Sequence, residues 1–406
     1  MRQYPIVKVN KKAEKLLKSG HPWVYGEETE GPEEPYENGD IVDVVTEKGS
    51  WMGSGFINDH SKIRVRLISR NTNDRFDEAF WRRRVHYAID YRKTVMGDDM
   101  HASRIIFGEA DTFPGMTVDL FENVLVTEIL SLGIELRKEM LYRLLVEELA
   151  DYGIQVNVIY ERNEAEIRTK EGMEKYKGFW RADGLKADTD GHVTICENGI
   201  YYDVDYINGQ KTGFFLDQKY NRLAAAKLAP GKRVLDCFTH TGAFALNCAK
   251  AGAEHVTAVD ISADAIELTK KNAEMNGLTD KMSFIKADVF ELLTDMAATK
   301  KKEFDYIILD PPAFTKSKAT VRNAYKGYKE INMKAMKMLP RGGYLATCSC
   351  SHFMTPDLFV KMVAEAAKDV GVQLRQIEDR RQSPDHPILW GVPETEYLKF
   401  YLFQIV

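Results

Sequence analysis

Hydrophobic and polar positions change rhythm along this chain, and the changes divide it. A lysine-rich helical run over roughly residues 10–19 ends at Gly20, ahead of His21-Pro22-Trp23-Val24-Tyr25. Alternating segments follow at 41–45, 51–58 and 62–69, with glycines at 49, 53 and 55. Their period of two predicts a small β-rich domain that ends near Asn71-Thr72-Asn73-Asp74. A helical pattern returns from Glu78 to Met96, with Phe80, Arg84, Tyr87 and Tyr91 on one spacing. Residues 104–190 read as strands (124–130, 156–162) around one amphipathic helix, 137–153, with a turn at Phe113-Pro114-Gly115.

After about residue 195 the rhythm becomes strand, helix, strand. Apolar runs at 233–238, 255–260, 283–288, 305–310 and 342–349 are separated by helical stretches, and an apolar strand closes the chain. Such alternation predicts an α/β fold with a parallel sheet covered on both faces. Ligands of such sheets lie beyond the carboxyl ends of the strands. The expected division is 1–73, 74–194 and 195–406, since 406 residues exceed what one core organises.

Composition alters this picture little. No stretch reaches the roughly 18 apolar residues that would span a bilayer, and the first residues lack the apolar centre of a signal peptide. Five scattered cysteines without a CxxC pair fit a reducing cytoplasm better than disulfides or zinc, and nothing suggests a metal. The net charge of −5 does not announce a nucleic-acid partner, but its distribution is uneven. Residues 1–26 hold six Lys/Arg against one Glu, and 60–93 hold ten against four acids. Between them, residues 27–47 hold nine acids and no base. The acidic run reads as a solvated face, and the basic runs are candidates for phosphate contact.

Candidate chemistry gathers at the predicted strand ends. Asp236 closes a buried strand in Val234-Leu235-Asp236-Cys237-Phe238-Thr239-His240-Thr241-Gly242, and Gly242 opens the next helix where only a small residue admits a ligand to the backbone. The fingerprint GxGxxG is absent, because Phe238 and His240 stand where glycines would be needed, which disfavours a nicotinamide or flavin enzyme. Asp260 follows 24 residues later, placed to accept from ribose hydroxyls, and Asp288 ends the third strand, placed to accept from an adenine amino group. Each aspartate alone reads as a helix cap, but three in order do not. Asp310-Pro311-Pro312-Ala313-Phe314 ends the fourth strand with an extended X-Pro-Pro step, and Phe314 offers a face for stacking a base. Thr347-Cys348-Ser349-Cys350 ends the fifth, with two cysteines on one side if the strand continues.

The series VLDCFTHTGAFAL, AVDIS, ADVF and LDPPAF resembles motifs I to IV of class I S-adenosylmethionine methyltransferases. Residues 211–218, KTGFFLDQ, are similar to a segment that covers the cofactor in RNA-modifying members, and HPWVY with its strands resembles a PUA domain. With residues 105–121 resembling the start of a central domain, the whole chain is similar to the bacterial 23S rRNA methyltransferases that include the rRNA large-subunit methyltransferase I family. The resemblance implies a class I, Rossmann-like domain with a seven-stranded, mostly parallel sheet. It also implies S-adenosyl-L-methionine held by Phe215, Gln218, Asp236, Phe238, Thr241, Gly242, Asp260, Ile261, Asp288, Val289 and Asp310. Pro311, Pro312, Phe314, Lys316, Lys318 and Arg322 would meet the RNA, within a basic stretch continuing to Lys326 and Lys329 and interleaved with Tyr325 and Tyr328.

Its place in the family pattern makes Cys350 the candidate nucleophile and leaves Cys348 to the core. A thiolate that adds to carbon 6 of a pyrimidine activates carbon 5 for methylation, and Asp310 would assist by hydrogen bonding at nitrogen 3. Methylation of guanine nitrogen 7, which needs no covalent catalyst, is the alternative, because DPPAFTKSK also resembles enzymes of that type. A ribosome-assembly factor with a decayed site would have lost some of the strand-end residues, and a small-molecule methyltransferase would have no use for the PUA-like domain. The expected partner is 23S rRNA or a ribosomal precursor particle in the cytoplasm, with no membrane; a homodimer is compatible with the sequence, which does not fix oligomeric state.

Overall fold

The computed structural model describes residues 4–299, 301–315 and 317–406. They form two compact units. The first comprises the described part of Met1–Ile195 with Val204–Leu216 and Pro384–Thr395; the second comprises Cys196–Asp203, Asp217–Ser383 and Glu396–Val406. Among the described residues no helix is long and apolar enough to cross a membrane.

The first unit holds two five-stranded sheets. One runs in the order Ile6–Val9, Ile41–Thr46, Trp51–Ile57, Ile63–Ser69, Trp23–Tyr25. Val7, Val9, Val24, Val42, Val44, Ile57 and Val65 fill its core with Ala13 and Leu17 of the helix Lys11–Lys18, which Asn10 caps by accepting from Lys12 and Ala13. The other runs Tyr176–Phe179, Val158–Asn163, Val124–Ile129, Met116–Phe121, Ala102–Phe107. Glu78–Met96 and Lys138–Asp151 are its main helices. The two sheets share a polar junction. Arg66, buried, reaches Glu109 at 3.3 Å and Glu171 at 2.9 Å, and Trp23 Nε1 donates to Glu109 at 3.0 Å.

The second unit is built on the alternation read from the sequence. Its first five strands are Arg233–Cys237, His255–Asp260, Met282–Lys286, Tyr306–Leu309 and Tyr344–Ser349, the sixth is Leu374–Arg380 and the seventh Lys399–Ile405. In space they run third, second, first, fourth, fifth, seventh, sixth. The first five pair in parallel, and the seventh runs antiparallel between the fifth and sixth. Leu235, Val259, Ile307, Leu309 and Leu345 bury one face of the sheet against Tyr328, Ile331, Ala335, Phe359 and Met362 of the helices Val321–Met338 and Pro356–Val370. The parallel strands therefore end along one edge, and their last residues converge there.

Candidate functional site

The turn after the first strand is tight. Phe238 (φ 65°) and His240 (φ 52°) both take left-handed backbone, the conformation that glycines supply in a Gly-rich loop. Gly242 also has positive φ, 79°, and a Cβ there would stand 2.5 Å from Thr269 Cγ2. The close neighbour that requires glycine is thus the helix Ala263–Met275, which corrects the expectation that a ligand alone sets this need. Burial holds the His240 imidazole neutral, down to about 4.

Asp236 lies under this turn, 1% exposed. Its Oδ2 accepts from Thr239 Oγ1 at 2.6 Å and from the Ala245 N–H at 3.1 Å, whereas Oδ1 is buried without a partner. Burial first, and then the charges of Asp310 and Asp260, push its carboxyl up to about 7. An orphaned buried acceptor of this kind costs stability unless a donor meets it.

Asp260 spends its carboxylate on the backbone, accepting from His240 N–H at 3.0 Å and Ser262 N–H at 2.9 Å. Beside it Ile261 is 63% exposed, a large apolar side chain left in water. Asp288 caps the helix Val289–Ala298, Oδ1 accepting from Phe290 N–H at 2.7 Å and Glu291 N–H at 3.3 Å. The cap and a ligand contact are compatible, because Oδ2 makes no hydrogen bond among the described residues. The Val289 side chain goes into the core, so only its backbone faces the strand ends. Thr241 is buried, and its carbonyl accepts from Asn272 Nδ2 at 3.0 Å.

At the fourth strand's end, Asp310 Oδ1 accepts from Gln218 Nε2 at 3.1 Å. Burial and the Asp217 charge push its carboxyl up to about 7. Cys348 is fully buried within the fifth strand and hydrogen-bonds towards Gln218 and Asp310. The strand ends at Ser349, so Cys350 stands past it, and unlike Cys348 it is partly exposed. Burial, with Asp310 and Asp217 facing it, pushes the Cys350 thiol up to about 12. Gln218, Asp236, Asp310 and Cys350 are thereby drawn into one group. Phe215 falls in Val204–Leu216, part of the other unit.

The segment after Asp310 departs from expectation in three places. Pro311 is buried and Pro312 exposed. Phe314 packs on Tyr328, 4.5 Å between ring centroids, and on Phe290 at 5.7 Å, so its ring is partly committed to the core. Tyr328 is wholly buried, and Lys329 pairs with Asp369 at 2.8 Å and Glu365 at 3.5 Å, which removes both from an RNA-facing surface. Lys318 and Arg322 are exposed, as is Lys326; Lys316 lies outside the described residues. The basic runs of the first unit are also largely spoken for. Lys12 pairs with Glu28, Arg82 with Glu147, Arg83 with Asp74, Arg92 with Asp111 and Arg104 with Asp119.

Two site residues escaped the sequence reading. Asp217 is buried, with Oδ2 taking the Tyr397 hydroxyl at 2.6 Å and Oδ1 unpartnered. Lys399 is 1% exposed, and its presence inside the apolar run LKFYLFQIV was a legible signal, because a lysine within a buried strand needs a reason.

Comparison with known proteins decides the family. The PUA-like domain profile matches residues 7–70, and that of the S-adenosylmethionine-dependent methyltransferases matches 174–403. "Ribosomal RNA large subunit methyltransferase I" of Pseudoalteromonas atlantica is 39% identical over 97% of this chain and 97% of its own length. The protein of the same name from Klebsiella pneumoniae is 36% identical over 99% of both. The chain belongs to the ribosomal RNA large subunit methyltransferase I family. It is an S-adenosylmethionine-dependent methyltransferase, and S-adenosylmethionine is its cofactor. The fold agrees. A SAM-dependent methyltransferase from Streptococcus mutans superposes with a TM-score of 0.81 at 20% identity, covering 98% of this chain and all of that one. A methyltransferase crystal structure complexed with SAH gives 0.82 at 21%, with the same coverage.

Proposed function

We propose that this family member methylates carbon 5 of a cytosine in 23S rRNA, with Cys350 as nucleophile, acting on the rRNA or a precursor particle in the cytoplasm. The names of its relatives support rRNA as the substrate. The observation that carries the choice of base atom is a partly exposed Cys350 just past the fifth strand's end, faced by Asp310 from the end of the fourth. Residues 1–73 would bind RNA, 74–194 would act as the central domain, and 195–406 would carry the reaction.

The residues fit the cofactor. Asp236 offers a buried acceptor without a donor, matched to the cofactor's ammonium. Asp260 would hold the ribose hydroxyls, Asp288 Oδ2 the adenine amino group, and exposed Ile261 would meet the adenine. Gln218, Phe238, Thr241, Gly242 and the Val289 backbone would complete the set. S-adenosylmethionine, when bound, supplies a methyl group made electrophilic by its sulfonium.

On the base, the Cys350 thiol gives its proton to the ionised Asp310 carboxyl as Sγ bonds to carbon 6, and Asp310 passes that proton to nitrogen 3. A carboxyl raised to about 7 can take and release a proton near neutrality. Once methylated, carbon 5 gives its own proton to solvent, nitrogen 3 returns its proton to Asp310, and carbon 6 releases the sulfur as thiolate, which Asp310 reprotonates. Pro311 and Pro312 hold the chain past Asp310 extended, Phe314 borders the base, and Lys318 and Arg322, with Lys316, meet phosphates. Replacing Cys350 with Ala is the test. Methylation of the rRNA should fall at least about a thousand-fold, and full retention would overturn the covalent route in favour of one such as guanine nitrogen 7 methylation.

A further inference from the structure

Lys399 opens the antiparallel last strand, its Cα paired with that of Ser349. It is 1% exposed. An ammonium removed from water must find acceptors or a counter-charge. Nζ donates to the Ser351 carbonyl at 2.6 Å and to the Tyr397 carbonyl at 2.7 Å. Among the described residues no carboxylate pairs with it, and its third N–H has no acceptor. One of its two acceptors belongs to the residue directly after Cys350, so the lysine head is tied to the backbone that carries that cysteine.

We propose that Lys399 is the positioning cation of Cys350, its ammonium balancing the charge on sulfur as the thiol gives its proton to the Asp310 carboxylate and bonds to carbon 6. This rests on the reading of Cys350 as nucleophile. The groups facing Cys350 among the described residues are of mixed charge. Cys350 is faced by Asp310 from the fourth strand's end, by Asp217 ahead of the helix Lys219–Ala226, by Tyr328 from Val321–Met338 and by Lys399 from the last strand. Asp310 and Asp217 oppose a thiolate, and Lys399 favours it. Lys399 in turn is faced by Cys350, Arg381 and Glu396, and burial brings it down to about 8. A lysine in that range keeps most of its charge at neutral pH and can still respond to the sulfur.

The experiment is the pH profile of Cys350 alkylation by iodoacetamide in the full chain, read peptide by peptide, for wild type, Lys399→Met and Lys399→Arg. Below about pH 8, where the lysine is charged, loss of the cation should slow alkylation at fixed pH by ~tenfold. Lys399→Arg should stay near wild type. Superimposable profiles for wild type and Lys399→Met would overturn the proposal. If Lys399→Met does not fold, the wild-type alkylation profile carries the test. Its slope should flatten near pH 8, where the lysine loses its charge, and an unbroken slope would overturn the pairing. Neither readout uses rRNA. A silent Cys350→Ala in methylation therefore sinks the covalent route, whereas superimposable alkylation profiles sink the Lys399 pairing alone.

Discussion

Gln218 donates from Nε2 to Asp310 Oδ1 at 3.1 Å, and its own Oε1 accepts from Asn221 Nδ2 at 2.7 Å. The second bond fixes which end of the amide faces the carboxyl, so Asp310 is aimed by a side chain that cannot turn over. Gln218 also lowers the Asp310 midpoint, against the larger upward push of burial. Replacing Gln218 with Ala should move the Asp310 limb of the pH–rate profile to higher pH and reduce kcat by ~tenfold. An unmoved limb would mean that Gln218 does not act through Asp310.

Gly242 is a position that resists any side chain. It combines φ of 79° with a Cβ site 2.5 Å from Thr269 Cγ2. Gly242→Ala should destabilise the protein by roughly 1–3 kcal/mol in denaturant melts. Adding Thr269→Ser removes the methyl in the way and should recover part of that loss. No recovery would assign the whole cost to the backbone.

Asp236 and Asp310, each raised to about 7, make the resting protein less stable as pH rises. A carboxyl whose folded midpoint exceeds its unfolded value of about 3.9 binds more protons folded than unfolded. Its contribution is full below about pH 4 and is lost as pH climbs through 7. His240 works in the opposite sense, losing stability as pH falls below its unfolded value of about 6.5 towards about 4. Asp236→Asn should therefore raise the cofactor-free stability at pH 8 by about 1 kcal/mol while weakening S-adenosylmethionine binding, as active-site repairs do. A variant destabilised at pH 8 would contradict the raised midpoint.

Lys318, Arg322 and Lys326 are exposed and make no ion pair among the described residues, in contrast to Lys329. Each one removed should lower the slope of log affinity for rRNA against log salt by about 1. Lys329→Ala should leave that slope unchanged. Equal slopes for all four variants would mean that RNA does not cross this surface.

The strand ends were legible because buried parallel strands are continuous apolar runs, and three of the five here have an acid at or beside their end: Asp236, Asp260 and Asp310. The sixth strand, Leu374–Arg380, was not. It sits at the sheet's edge, mostly solvated, and its sequence LRQIEDR lacks the apolar pattern. Charge misled where pairing decides. The basic runs at 1–26 and 60–93 looked like RNA-binding surface, yet Arg66, Arg82 and Arg92 are bound to acids distant in sequence. Sequence carries the sign of a charge but not its partner. The same holds for Phe238 and His240, whose glycine-like backbone is imposed by the fold.

Covalent catalysis by Cys350 is the centre of this account, and one measurement reaches it directly. An rRNA fragment carrying 5-fluorocytidine at the target should be incubated with the protein and S-adenosylmethionine, then denatured. Fluorine cannot leave carbon 5 as a proton does, so the adduct has no exit. The account predicts a denaturation-stable protein–RNA conjugate with the RNA on the Cys350 peptide, absent in Cys350→Ala. A protein that methylates unmodified rRNA yet gives no conjugate with the fluorinated fragment would contradict it.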